Sequence, residues 1–226
     1  MDVSLIIPAA GIGKRFSQDK KKQFVDIDGK PLIYWTIKRL IEAYNFTELI
    51  IGANEDDIEY IKEIILKLNI SIPVIYVKGG KERANTVLNC IKKSHFDFVA
   101  VHDSVRPFAS DKTIITTIQN AFENNACICV LPVRDTLKKC DNNIISNTLS
   151  RDNLFLAHTP QVFKKDIIEK ALETAINNDN IVTDEASACE LEQIPVYTVL
   201  SNYENIKITY YEDMDIINLY KKKFFK

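Results

Sequence analysis

The stretch Val3-Ser-Leu-Ile-Ile-Pro-Ala-Ala-Gly-Ile-Gly-Lys-Arg-Phe16 joins a continuous apolar run to a loop of small residues and cations. Val3 to Ile7 is rich in β-branched residues, which predicts a strand covered on both faces, as in a parallel sheet. Beyond the loop, Leu32, Ile33, Ile37, Leu40, Ile41 and Tyr44 recur at helical spacing, behind Pro31 at a first-turn position. The same pairing repeats along the chain. Glu48 to Ile51, ended by Gly52, reads as a strand, and Ile58, Ile61, Ile65 and Leu68 mark a second helix. Val74 to Val77 runs into Gly79-Gly80, ahead of a third helix carrying Val87, Leu88 and Ile91. Phe98 to Val101, then Ile114, Ile115, Ile118 and Phe122, then Cys127 to Val130, give a strand, a fourth helix and a further strand. This rhythm predicts an α/β fold with a mostly parallel sheet and helices on both faces. Such sheets bind ligands outside the carboxyl ends of their strands, near the switch in strand order. The loops after Ile7, Val77, Val101 and Val130 are therefore the ones expected to carry function.

The rhythm breaks after Pro132. Residues 134–151 are polar and hold the turn cluster Asp141-Asn142-Asn143 between two short β-like runs, which reads as a hairpin arm. A lone two-stranded hairpin is marginal in water, so the arm is expected to pack on something, most simply a second subunit; an unstructured loop is the alternative. Arg151 precedes an apolar turn and Thr159-Pro-Gln161. A helix around Ile167 to Ile176, a strand at Val196 to Leu200 and a terminal helix with Ile216, Ile217 and Tyr220 follow. With no linker or repeat, residues 1–226 read as one domain plus an arm.

Composition narrows the function. The chain has 226 residues, 46% hydrophobic and 27% charged, and a formal net charge of -2. That balance gives no electrostatic footprint for nucleic acid or an anionic membrane, so phosphates would have to be met by a local cationic pocket. The N-terminal apolar run lacks the basic flank and cleavage site of a signal peptide, and no apolar stretch approaches the ~20 residues that span a bilayer. The five cysteines, Cys90, Cys127, Cys129, Cys140 and Cys189, include no CxxC pair and no His at zinc-ligand spacing. Free thiols in a reducing, cytoplasmic compartment are expected.

In the first loop, Ala9, Ala10, Gly11 and Gly13 allow a ligand close to the backbone, whose amides can face phosphate oxygens. Lys14, Arg15, Lys20, Lys21 and Lys22 add charge that suits a triphosphate. A third glycine for a dinucleotide fingerprint is missing, because Phe16 stands there, and Lys14 is followed by Arg15 rather than the Ser or Thr of a P-loop. A basic surface turn would read the same way. Gly79-Gly-Lys-Glu-Arg-Ala-Asn-Thr86 is a second glycine loop between strand and helix, and paired glycines permit approach to a base or ribose. Asp103 and Arg106 follow the strand ending at Val101, and Thr136 sits at the base of the arm. His102 reads as a packed structural group rather than a base. Thr183-Asp-Glu-Ala186 reads as a helix cap, and Lys207 lies in Asn205-Ile-Lys-Ile-Thr209, where strand alternation with a solvated ammonium is the plain alternative. No nucleophile–base pair and no carboxylate pair stands out by spacing. Scattered cations around small-residue loops, without a nucleophile, fit direct phosphoryl-type transfer by positioning and charge stabilisation.

The ordered series PAAGIGKRF (8–16), KKQF (21–24), GGKERANTV (79–87), VHDSVRP (101–107), PVRDTLK (132–138), Arg151 with Thr159-Pro-Gln161 and Phe163, TDEA (183–186) and NIKIT (205–209) resembles the 2-C-methyl-D-erythritol 4-phosphate cytidylyltransferases of the non-mevalonate isoprenoid pathway. The resemblance covers Pro8 to about Asp213. It implies a Rossmann-like nucleotidyltransferase fold, a homodimer with interlocking β-arms, and CTP bound with Mg²⁺ that the nucleotide phosphates mainly hold. The phosphate of methylerythritol phosphate would attack the α-phosphorus of CTP and release pyrophosphate. By this likeness Arg15 and Lys22 stabilise the charged transition state. Ala9, Ala10, Gly79, Gly80 and Thr86 hold cytosine and ribose, with Gly11 and Gly13 in the phosphate loop. Arg151 and Lys207 position the second substrate, with Asp103, Arg106, Thr136 and Thr159 as further contacts, some across the dimer. An ionised phosphate nucleophile needs no general base. Three departures stand out. Lys21 replaces the family's usual Pro, which loosens the loop and lets Lys20 or Lys21 compete for phosphate. Lys81 replaces a frequent Asp, and Phe155 a frequent Trp. Ribitol-5-phosphate cytidylyltransferases share most motifs and form the nearest alternative, but TDEAS (183–187) favours the first family. A nucleotide-binding module without turnover is opposed by the presence of Arg15, Lys22, Arg151 and Lys207.

Overall fold

A computed structural model of the chain describes residues 1–11 and 21–225. The elements are β1 (Val3–Pro8), a 3₁₀ turn (Lys22–Phe24), β2 (Asp26–Ile27), β3 (Lys30–Pro31), α1 (Leu32–Ala43), β4 (Glu48–Ala53), α2 (Glu55–Leu68), β5 (Val74–Lys78), α3 (Arg83–Ile91), β6 (Phe98–Val101), α4 (Asp111–Asn124), β7 (Ala126–Pro132), β8 (Leu137–Asp141), β9 (Ile144–Leu149), β10 (Phe155–Lys164), α5 (Lys165–Asn177), α6 (Glu185–Leu191), β11 (Tyr197–Leu200) and α7 (Asp213–Phe224). The main sheet has the order β11-β7-β10-β6-β1-β4-β5.

Alternation along each strand sends side chains to two cores. Leu5, Ile7, Leu49, Ile51 and Ala100 meet Ile33, Ile37, Ile61 and Ile114 on one face, while Ile6, Ile50, Val99 and Val101 meet Val87, Leu88, Ile168 and Leu172 on the other. Each face is thus roofed by helices, α1, α2 and α4 on one side and α3, α5 and α6 on the other. A third apolar cluster, Leu32, Val105, Phe108, Ile208 and Ile217 with Trp35 and Phe225, holds the C-terminal helix over the loop after β6.

Helix ends follow local chemistry. The Ser110 hydroxyl accepts from the Thr113 amide at 3.1 Å to start α4, and α2 opens on Glu55, Asp56 and Asp57. Asparagines take the left-handed turns that glycine usually fills: Asn69 ends α2 at φ 49° and Asn125 ends α4 at φ 67°.

Two expectations change. The turn after Arg151 is made by the polar pair Asp152-Asn153, closed by Leu154 N to Arg151 O at 3.0 Å, and the apolar residues from Phe155 instead begin β10, which runs antiparallel between β6 and β7. It displays no period-2 pattern of its own because its second half is buried on both faces while its first half, from Phe155, is exposed. Gly52 does not end β4, which continues to Ala53. It lets α3 approach the sheet, since a Cβ there would stand 2.5 Å from Thr86 Cγ2 and 2.8 Å from Cys90 Sγ.

The hairpin forms at 137–149, with Asn142 and Asn143 both at positive φ, the pattern of a two-residue primed turn. It projects with Ile144 73% and Ile145 60% exposed.

Candidate functional site

β1 is flanked by β4 on one side and β6 on the other, so the strand order reverses around it. At its carboxyl end lies a cleft of ≈ 460 Å³ whose walls come from four loops: Pro8–Gly11, Lys22-Gln23, Gly80–Thr86 and Asp103–Val105, joined by Lys207. That is the crevice where open α/β sheets bind ligands.

The floor is built by close backbone packing. Ala9 N donates to Gly52 O at 2.7 Å and Gly79 N to Ala53 O at 2.8 Å. A Cβ on Gly79 would stand 2.5 Å from Ala10 Cβ, so the two small-residue loops touch only because position 79 is glycine. Thr86 is buried, and its hydroxyl accepts from Gly80 N at 3.0 Å and donates to Glu82 O at 3.2 Å, which fixes the second loop as α3 begins.

The opposite wall is a charge hub. The Asp103 carboxylate takes Lys207 Nζ at 2.9 Å, Arg106 Nε at 3.2 Å and Arg83 Nη2 at 3.2 Å. Burial by itself would raise its carboxyl, yet Arg83, Lys207 and Arg106 hold it well below the usual carboxylate range. Arg83 is gripped from behind by the fully buried Glu185, at 2.6 and 3.1 Å. Its burial opposes the charge, but the Glu185 and Asp103 carboxylates outweigh that and raise its pKa. Arg106 is buried and donates to Asn205 O at 2.8 Å, tying down the segment that carries Lys207. That segment is not a strand, and the Lys207 ammonium is paired rather than only solvated.

His102 is fully buried, its Nε2 donating to Arg106 O at 3.0 Å, and burial pulls its pKa down to about 4. It is the packed group expected, unable to reach substrate. Thr159 is buried behind the hub, its hydroxyl accepting from Asp103 N at 3.1 Å.

The cleft thus gathers Ala9, Ala10, Gly11, Lys22, Gly80, Thr86, Asp103 and Lys207, with Gly79 packed beneath. Arg106 and Thr159 support Asp103 from behind rather than lining the cleft. Thr136 and Arg151 are exposed at the arm, Arg151 donating to Arg134 O, and neither lines the cleft of its own chain. Gly13 and Arg15, with Lys14 and Lys20, lie outside the described residues. Lys21 is not set to compete for phosphate, because its ammonium bonds both oxygens of Asp57, at 2.7 and 2.6 Å. Asp184 caps α6 as its sequence implies, accepting from Ser187 N at 3.0 Å. Sequence reading assigned no role to Arg83 or Glu185, which lie far apart in the chain and carry no shared motif, nor to Gln23.

Among the described residues no group of three His, Cys, Asp or Glu side chains could hold a metal ion. Of the carboxylates on the cleft wall, Asp103 is saturated by cations and Glu82 caps α3. The described donor set fits a divalent ion whose ligands come mainly from substrate phosphates.

Fold and cleft together define a nucleotidyltransferase of the doubly wound α/β class. A family profile described as 2-C-methyl-D-erythritol 4-phosphate cytidylyltransferase matches residues 3–223. The enzyme of that name from Fusobacterium nucleatum is 36% identical over 219 residues, covering 95% of this chain and 95% of the relative. The one from Dictyoglomus thermophilum is 37% identical over 214 residues, covering 92% of each. The crystal structure of 4-diphosphocytidyl-2C-methyl-D-erythritol synthase from Anaerococcus prevotii superposes with a TM-score of 0.85 at 30% identity, covering 98% of this chain and 96% of that one. The cytidylyltransferase of Francisella tularensis gives 0.81 at 30% identity, covering 97% and 99%. The chain belongs to the 2-C-methyl-D-erythritol 4-phosphate cytidylyltransferase family.

Proposed function

We propose that this cleft transfers CMP from CTP to 2-C-methyl-D-erythritol 4-phosphate, giving 4-diphosphocytidyl-2-C-methyl-D-erythritol and pyrophosphate. The observation that carries the reading is the pairing of backbone-lined loops on one wall with the Asp103–Lys207–Arg83 hub on the other. A phosphate oxygen of the polyol phosphate attacks the α-phosphorus, the bond to the β-phosphate oxygen breaks, and pyrophosphate leaves with the electron pair. The attacking group is already ionised, so no base is needed, which agrees with the neutral, buried His102.

Ala9, Ala10, Gly79, Gly80 and Thr86 hold cytosine and ribose, and Gly11 presents its amide to the phosphates, with Gly13 assigned to the same CTP loop by the family likeness. Lys22 and Arg15 offset the approach of two anions and stabilise the charge that develops as the bond breaks. Lys207 turns its ammonium to the second substrate's phosphate, kept in place by Asp103. A magnesium ion held mainly by the CTP phosphates would supply further neutralisation of their charge.

Arg151 and Thr136 complete the second-substrate site, while the buried Arg106 and Thr159 hold Asp103 in place behind it. Because Arg151 and Thr136 lie off their own cleft, we read the enzyme as a homodimer in which each arm serves the other copy. The bare Ile144, Ile145 and Leu149 support this reading. We take the chain as one transferase domain bearing that arm. It works in the cytoplasm, in keeping with five free cysteines. A formal net charge of -2 gives no electrostatic footprint for nucleic acid or an anionic membrane, and we read neither as a partner. Among the described residues no helix is long and apolar enough to cross a membrane.

The test is pyrophosphate release from CTP with each polyol phosphate in turn. Turnover with methylerythritol phosphate well above that with ribitol 5-phosphate supports the assignment; the reverse order overturns it.

A further inference from the structure

Three successive peptide carbonyls at the mouth of the first loop are captured by side-chain amides from two other elements. Gln23 Nε2 donates to Ala9 O at 2.8 Å and to Gly11 O at 3.0 Å. Asn54 Nδ2 donates to Ala10 O at 2.9 Å. Gln23 is only 2% exposed and spends both amide hydrogens on this loop. Asn54 occupies the N-cap position of α2, where its side chain would ordinarily accept from a helix amide, yet it makes no capping bond there. It reaches across to Ala10 instead, braced at 3.3 Å by Asp57, the residue that also anchors Lys21.

In a trans peptide the N–H points opposite the C=O, so holding the Ala9 and Ala10 carbonyls fixes the N–H directions of Ala10 and Gly11. Alanine and glycine have little bulk to resist a peptide flip, and a Cβ at Gly11 would meet nothing within 4 Å. A flipped peptide would offer its negative oxygen to a triphosphate in place of a donor. We propose that Gln23 and Asn54 are positioning residues for the nucleotide, locking the peptide planes of Ala9 to Gly11 so that amides, not carbonyls, meet the phosphates. Gln23 adds a second effect, because it neighbours Lys22 in the same 3₁₀ turn and so registers that ammonium against the loop. The inference rests on the cleft being the CTP site.

The test compares Gln23→Leu, Gln23→Glu and Asn54→Ser with the full-length wild type in steady-state pyrophosphate release, alongside thermal unfolding. Gln23→Leu is expected to lower kcat/KM about 10²-fold, the scale of an ångström-sized misplacement, with KM for CTP rising more than KM for the polyol phosphate. Asn54→Ser retains a cap for α2 but cannot reach Ala10, so KM for CTP rises while the unfolding midpoint stays level or increases. Gln23→Glu should regain activity relative to wild type as pH falls, because a protonated carboxyl recovers one donor. Should Gln23→Leu fail to fold, Asn54→Ser carries the decision. Kinetics within about twofold of wild type for Asn54→Ser and for each Gln23 variant that folds, or equal rises in both KM values together with a lowered midpoint, overturn the proposal. A Lys22→Ala control separates the levels: if it remains fully active, the location of the CTP site is wrong; if it is inactive while the amide variants behave as wild type, only the present inference falls.

Discussion

The loop after β6 and the hairpin at 137–149 treat their awkward groups in opposite ways. Around Asp103, charges that would be costly alone are buried against one another, with Arg83, Arg106 and Lys207 on one carboxylate and Glu185 behind Arg83. On the hairpin, Ile144, Ile145 and Leu149 stand exposed and belong to none of the core clusters formed by the described residues. The first region satisfies its charges within one chain, the kind of preorganisation that electrostatic catalysis draws on. The second is unfinished within one chain, as an element meant for a partner would be.

Breaking the cleft side of this contrast should have the largest effects. Lys22→Ala is expected to cut turnover by about 2 to 4 orders of magnitude, as loss of a charge-stabilising donor does, in a pyrophosphate-release assay. Asp103→Asn removes the anion that three buried or half-buried cations share. It should cost about 3–5 kcal/mol of stability in urea unfolding, and raise KM for the polyol phosphate as Lys207 loses its restraint. A loss under 1 kcal/mol would mean the hub is not preorganised as described.

The hairpin side should respond differently. Ile144→Lys is expected to leave the unfolding of the single chain nearly unchanged, within about 0.5 kcal/mol as for an exposed site, but to shift sedimentation from dimer to monomer. Full dimer in that variant would remove the arm from the interface.

A smaller, pH-linked effect sharpens the contrast from behind the hub. The folded pKa of His102 is pulled down to about 4 by burial, against the ordinary value near 6.5. Its Nδ1 has no hydrogen-bond partner among the described residues, so a proton there would be a buried, unpaired charge. The unfolded chain therefore binds more protons between these values, and the stabilising term is complete above about pH 6.5 and lost as pH falls toward 4. Urea midpoints should drop over that window, and His102→Gln should flatten the slope.

What the sequence made legible was local. The strands Val3–Pro8 and Phe98–Val101, the four helices between them and β7, and the asparagine turn of the arm follow from periodicity and turn chemistry. The small residues of both loops and the strand-end Asp103 were readable because α/β sheets place function there. What escaped depends on contacts distant in sequence. Arg83 meets Glu185 across 102 positions, and Gln23 meets Ala9 across 14 through a buried amide that no spacing rule foresees. β10 was mistaken for a turn because it crosses from an exposed end to a buried one, and so shows neither alternation nor an unbroken apolar run. The pairing of Lys21 was hidden for the same reason, since Asp57 is contributed by another element.

The most direct test of the account is a crystal structure with CTP and magnesium bound. It should show the triphosphate against the Ala9–Gly11 backbone with Lys22 on a phosphate oxygen, cytosine beside Gly79, Gly80 and Thr86, and Lys207 facing the vacant second-substrate space. Nucleotide bound elsewhere, with Lys22 directed into solvent, would contradict it.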